Sequence, residues 1–207
     1  MVTVRHASLL QSCGTVRFFE LGPPMRHVAF MMVAFTNPAL VGAVCPSSRW
    51  LAAAMADAAH GARLLVELGA GTGAITEALV AQHPAVPLVA VELQPGLADL
   101  LQQRFAHIDV RCAGAHEVLA ALSERASPQT VLVSSLPFRS LPARWRESTV
   151  AAIASFLRAD ARRRLVQYTY RLKAPFELPA GSDLRWSRVG RVWRNAPPAS
   201  LWSLQRR

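Results

Sequence analysis

Lysine is almost missing from these 207 residues: of 23 cationic side chains, all but Lys173 are arginine. Arginine grips phosphate through a planar fork that an ammonium lacks, so this bias favours phosphate-bearing partners over generic solubility. Cysteine is scarce and odd in number. Cys13, Cys45 and Cys112 show no metal-ligand spacing and predict buried thiols in a reducing cytoplasm. The six histidines lack such spacing as well, so no metal is expected. Long apolar runs are also absent. Val28 to Phe35 is wholly apolar, but Thr36-Asn37-Pro38 stops it well short of the ~18–20 residues that span a bilayer. A run this short reads either as a buried helix or as one lying in a membrane interface. The beginning of the chain lacks the basic, apolar and small-residue order of a signal peptide. Hydrophobic residues at 52% against charged residues at 17% exclude a disordered chain, and the length suits a single buried core.

The charge is segregated. Residues 1–125 carry 8 Lys and Arg against 9 Asp and Glu, a net −1, whereas residues 126–207 carry 15 against 4, a net +11. Anionic lipid head groups and a nucleic-acid backbone are the two partners that such a half would attract.

The pattern of elements alternates. Pro23-Pro24 opens one helix and Asn37-Pro38 closes it, while Ser47-Ser48 caps a second that runs from Arg49 through Met55. Strands are predicted at Leu64–Leu68, Leu88–Glu92, Asp109–Cys112, Val131–Val133 and Arg164–Thr169, with helices between them. Leu184–Trp193 and Ser200–Gln205 then read as a hairpin joined by Asn195-Ala196-Pro197-Pro198. Strand and helix in alternation, ended by a hairpin, predicts an α/β Rossmann-like fold with a seven-stranded, mostly parallel sheet. Residues 1–45 form an N-terminal helical extension in this division, and 46–207 form the domain proper.

One stretch carries more chemistry than the rest: Val66-Glu67-Leu68-Gly69-Ala70-Gly71-Thr72-Gly73. Three glycines at alternate positions, between an apolar run and a helix, describe a tight turn whose backbone a ligand can approach. The G-x-G-x-G spacing after an acid differs from the G-x-G-x-x-G of dinucleotide folds and resembles motif I of the class I S-adenosylmethionine (SAM) methyltransferases. Glu92 ends the next strand nineteen residues after Gly73. A carboxylate there suits the hydroxyls of a ribose, because it only accepts hydrogen bonds and can take two donors.

A narrower resemblance follows from five blocks met in order: Gly42 to Ser48, the glycine motif, Ser135-Leu136-Pro137-Phe138, Gln167-Tyr168-Thr169-Tyr170, and Trp193 to Ala199. Together they resemble the bacterial phospholipid N-methyltransferases, relatives of the rRNA adenine dimethyltransferases, over about Phe30 to Trp202. The resemblance implies methylation of phosphatidylethanolamine towards phosphatidylcholine, with peripheral attachment to the cytoplasmic face of an anionic membrane. It places SAM against Glu67, Gly69, Ala70, Gly71, Gly73, Glu92, Leu93, Ala115 and Ser134. It places the acceptor beside Ser135, Leu136, Pro137, Phe138, Tyr168 and Tyr170, whose aromatic rings would attract a methylated ammonium. Val28–Phe35 would be a helix that lies on the membrane and lids the site, and Arg139, Arg171, Arg188, Arg191 and Arg194 would meet lipid phosphate.

Two departures qualify the resemblance. Adenine-N6 methyltransferases carry Asn or Asp where Ser135 stands, which disfavours nucleic acid as the acceptor. Where the family has Gly-Asp-Ala after the third strand, this chain has Ala113-Gly114-Ala115. His116, Glu117 or apolar contacts alone would then have to hold the adenine. A non-catalytic binding module of the same fold is the remaining alternative.

Overall fold

A computed structural model describes residues 48–207 except 124, 125 and 180. The predicted N-terminal extension, the Val28–Phe35 helix, Cys13, Cys45 and the Gly42–Ser47 block lie outside the described residues.

The elements run α1 (Arg49–Asp57), β1 (Leu64–Leu68), α2 (Ala74–Gln82), β2 (Leu88–Glu92), α3 (Pro95–Arg104) and β3 (Asp109–Cys112). They continue as α4 (Ala115–Leu122), β4 (Thr130–Ser134), α5 (Ala143–Arg158), β5 (Arg164–Thr169), β6 (Leu184–Val192) and β7 (Ala199–Arg206). The strands form one sheet in the order β3-β2-β1-β4-β5-β7-β6. All neighbours are parallel except β7, which runs antiparallel to both β5 and β6. The predicted seven-stranded Rossmann-like sheet with its terminal hairpin is therefore the fold observed.

Alternation along each strand splits the core into two layers. Leu65, Val131 and Val166 face α1, α2 and α3, where Leu51, Met55, Leu79 and Leu101 are fully buried. Val66, Leu132 and Leu165 face α4 and α5, with Leu119, Ile153 and Phe156 beneath them. Parallel order moves the chain outward from β1 to β3 and then back across to β4. The crevice between β1 and β4 at the carboxyl end of the sheet is the place where such a fold binds ligands. Among the described residues no helix is long and apolar enough to cross a membrane.

Two distant sequence blocks meet at the start of α1. The Ser48 side chain caps the helix by accepting from the Leu51 N–H at 3.3 Å and donates to Asn195 Oδ1 at 2.6 Å. Asn195 in turn donates to the Pro197 carbonyl at 2.7 Å. One residue contradicts expectation. Cys112 is exposed, not buried, because β3 is the outer strand of the sheet and only one of its four residues is even half-covered.

Candidate active site

The turn from β1 to α2 is built on three left-handed glycines, Gly69, Gly71 and Gly73, with φ of 78°, 57° and 87°. Only glycine adopts such angles without strain. The Gly71 N–H donates to Glu92 Oε2 at 2.8 Å, and the Gln94 N–H donates to Oε1 at 2.9 Å. Glu92 is buried at the end of β2, and burial raises its pKa while the backbone donors of Gln94 and Gly71 oppose that rise. With the Leu93 backbone as a third donor, these bonds fix the carboxylate in place, and two oxygens with about four lone-pair sites leave it room to accept one donor more.

Glu67 lies one strand inward. It is fully buried, receives the Thr76 hydroxyl at 2.6 Å, and has its pKa pushed up to about 8, chiefly by desolvation. Its other oxygen, Oε1, is buried and has no hydrogen-bond partner among the described residues. Ala70 is buried in the turn, and Ser134 is buried at the end of β4, where its hydroxyl accepts from the Leu136 N–H at 3.2 Å.

Two clefts open beside this frame. The first, about 470 Å³, is lined by Gly69, Leu93, Ala115 and Leu136 together with His116 and Trp145. The second, about 630 Å³, is lined by Ser135, Pro137 and Phe138, by Tyr168 and Tyr170, and by Gln167. Leu136 belongs to both linings and stands as the partition between them. A Cβ on Gly69 would come within 2.8 Å of the Leu136 side chain, so glycine there lets the partition close onto the turn.

Of the residues expected at the cofactor, Gly69, Leu93 and Ala115 line the first cleft. Glu67, Ala70, Gly71, Gly73, Glu92 and Ser134 line neither and frame the turn and strand ends beside it. The residues expected at the acceptor line the second cleft. In the second cleft Tyr168 and Tyr170 stand edge to face with ring centroids 5.7 Å apart. Phe138 reaches the same lining but is buried, its ring against Phe176 at 4.7 Å, so its main contact is with the core. Arg139 and Arg171 are exposed at the rim. Arg191 and Arg194 lie elsewhere, stacked over Trp193 and Trp50 at 4.1 and 4.4 Å.

Two lining residues carried no local signal. Trp145 and Thr149 come from α5, which reaches the first cleft only because β4 sits next to β1. Gln167 pairs in register with Ser134 and is buried. Its Nε2 donates to the carbonyls of Leu136 at 3.2 Å and Tyr168 at 3.1 Å, which leaves Oε1 buried without a partner among the described residues. Among the described residues no three His, Cys, Asp or Glu side chains gather as metal ligands would.

A seven-stranded sheet with a glycine turn at β1 and an acid at the end of β2 is the class I SAM-dependent methyltransferase fold. The structure of a Burkholderia thailandensis 1,6-didemethyltoxoflavin-N1-methyltransferase, with that substrate and S-adenosylhomocysteine bound, superposes at TM-score 0.58. It is 14% identical over 90% of this chain and 91% of that one. A TehB-like SAM-dependent methyltransferase from Corynebacterium glutamicum superposes at 0.53 with 16% identity, over 89% of this chain and all of that one. In sequence, the chain is 33% identical over 120 residues to an ornithine lipid N-methyltransferase of Singulisphaera acidiphila. That match covers 55% of this chain and 62% of the relative, less than two thirds of its length. No family model matches the chain.

The residues present fit SAM as cofactor. The turn is part-exposed at Gly71 and Thr72, Glu92 ends β2 beside it, and the first cleft is mostly apolar with two buried nitrogens that lack partners among the described residues. Glu92→Ala is expected to weaken SAM binding about 10- to 100-fold, the loss of hydrogen bonds worth roughly 1–3 kcal/mol. The fold should survive, since the vacated Gly71 and Gln94 donors cost a similar amount within a domain that has margin for it. Calorimetric titration with SAM, alongside a melting curve, checks both statements.

Proposed function

We propose that this protein is a SAM-dependent N-methyltransferase acting on the amine of a phosphate-bearing lipid head group, with phosphatidylethanolamine as the substrate. The second cleft carries this reading. It combines an aromatic pair, two rim arginines and one buried carboxamide oxygen without a partner among the described residues, on the far side of Leu136 from the cofactor cleft.

Each part has a task. Arg139 and Arg171 pair with the lipid phosphate through charge-assisted hydrogen bonds. Gln167 Oε1 accepts an N–H of the substrate amine, supplying the carboxamide acceptor that Ser135 lacks. Tyr168 and Tyr170 face the nitrogen as it gains positive charge with each methyl group. Bound SAM would supply a methyl group on a sulfonium sulfur, which would depart as a neutral thioether keeping the electrons of the broken S–C bond. The second-cleft residues would aim the amine lone pair at that methyl to form the N–C bond, and the proton lost by nitrogen would pass to solvent water at the exposed rim. An alkylammonium resembling lysine has a pKa near ~10.4, so the cleft must favour the neutral amine, and desolvation beside the aromatic pair does so.

Attachment to the cytoplasmic face of the membrane belongs to the same proposal. The match to an ornithine lipid N-methyltransferase supports a lipid amine as acceptor, and the net +11 of residues 126–207, from 15 cations and 4 acids, suits an anionic surface. Labelled SAM incubated with the protein tests the reading. The competing acceptors are vesicles of phosphatidylethanolamine with phosphatidylglycerol, vesicles of ornithine lipid, and total RNA. Label is expected in the phosphatidylethanolamine fraction. Label in ornithine lipid alone would change the head group and keep the lipid amine, whereas label in RNA would overturn the proposal.

A further inference from the structure

We infer that His116 and Trp145 form a two-nitrogen reader of the adenine edge in the first cleft. This inference rests on the assignment of SAM as cofactor. The place is defined by β3, α4 and α5. The chain leaves β3 through Ala113 and Gly114, enters α4 at Ala115, and sets His116 in its first turn. Trp145 and Thr149 approach from α5, one helical turn apart and therefore on one face. The imidazole and indole rings meet edge to face, with centroids 5.3 Å apart and planes at 73°.

Both rings carry a nitrogen that the fold leaves without a use. His116 Nδ1 and Trp145 Nε1 are buried and have no hydrogen-bond partner among the described residues. Polar atoms in that condition cost free energy unless something meets them. Both residues line a cleft whose remaining walls are mostly aliphatic, including Val91, Leu93, Leu136 and Leu141. An indole N–H can only donate, while a neutral imidazole nitrogen can accept. One acceptor and one donor in the same lining suit adenine, whose exocyclic amine donates next to a ring nitrogen that accepts.

Gly114 explains how the imidazole comes to stand there. Its φ of −69° is open to any residue, so backbone freedom is not its reason. A Cβ at this position would lie 2.8 Å from His116 Cε1 and 3.0 Å from Nδ1. Glycine vacates the space that the histidine ring fills. Glu117 is committed elsewhere, its Oε2 accepting the Gly114 N–H at 2.8 Å as a helix cap. Among the side chains that line this cleft, the nitrogens buried without a partner among the described residues are those of His116 and Trp145.

The test is calorimetric and needs no turnover. S-inosylhomocysteine replaces the adenine amine by a carbonyl oxygen and protonates the neighbouring ring nitrogen, which inverts the donor and acceptor pattern. The wild-type chain is expected to prefer S-adenosylhomocysteine by about 30-fold or more, in line with discrimination by polar groups left unpaired. His116→Ala and Trp145→Phe should each weaken S-adenosylhomocysteine about 10-fold and leave S-inosylhomocysteine nearly unchanged. Gly114→Ala, which displaces the imidazole, should copy His116→Ala and add little when combined with it. This third variant also decides the matter if either of the others fails to fold. Unaltered preference in folded variants would overturn the inference and leave the cofactor assignment standing. A wild-type chain that binds neither ligand would overturn both.

Discussion

Gly71→Val is expected to abolish SAM binding, raising Kd at least about 100-fold, while the domain still folds. Gly71 has φ of 57°, in the left-handed region that a β-branched residue almost never enters. Holding valine there costs about 1–3 kcal/mol, and the turn relieves that cost by moving. The movement is what removes binding. The Gly71 N–H is the donor that holds Glu92 Oε2 at 2.8 Å, so a shifted turn releases the carboxylate and also brings a branched side chain to the ligand's approach. For a domain of this size the strain corresponds to a fall in Tm of fewer than about 10 °C. Gly73 differs, because a Cβ there would lie 2.8 Å from Phe105 and 2.9 Å from Leu101. Gly73→Val should therefore damage packing between the turn and α3 as well as binding, and melt lower than Gly71→Val. Calorimetry with SAM and a melting curve on both variants separate the two effects. Normal SAM affinity in a folded Gly71→Val protein would remove the cofactor assignment.

The contrast between these glycines shows which parts of the site could be read along the chain. The turn, the acid after β2 and the strand–helix alternation were legible because each is local: a spacing of glycines, a residue at a strand end, a period of two or of 3.6. The terminal hairpin was legible for the same reason. What sequence could not supply was adjacency across the sheet. Gln167 becomes a cleft residue because β5 pairs with β4 and sets it opposite Ser134. Trp145 becomes one because α5 is carried over the sheet from β4, next to β1. The bond from Ser48 to Asn195 joins two blocks 147 residues apart, which stand in the sequence as separate motifs. Sequence order groups Phe138 with Tyr168 and Tyr170 at the acceptor, yet its ring packs on Phe176. A motif gives the order of aromatic residues and leaves their facing to the packing around them. The exposure of Cys112 has the same origin, since edge position is a property of strand order and not of the strand itself.

The second large effect concerns Glu67 and pH. Its carboxyl is fully buried, and desolvation outweighs the Thr76 hydroxyl to push its pKa from 4.5 up to about 8. The sign follows from proton counting. Between these values the folded chain holds a proton that the unfolded chain has released, so stability falls as pH rises from about 4.5 and levels off above about 8. At about 1.36 kcal/mol per unit, the full loss approaches roughly 5 kcal/mol. That corresponds to a drop in Tm of about 10–20 °C for a domain of this size. Other groups titrate over the same range, with Glu92 adding a slope of the same sign, so the measurement is the difference between two proteins. Glu67→Gln keeps the shape of the neutral carboxyl and cannot ionise. Melting curves for both proteins from pH 5 to pH 9, without ligand, should nearly coincide at the acid end and diverge towards the alkaline end, the variant melting higher. Parallel curves across the range would show that Glu67 ionises at its ordinary pKa and that its Oε1 is solvated in the folded chain.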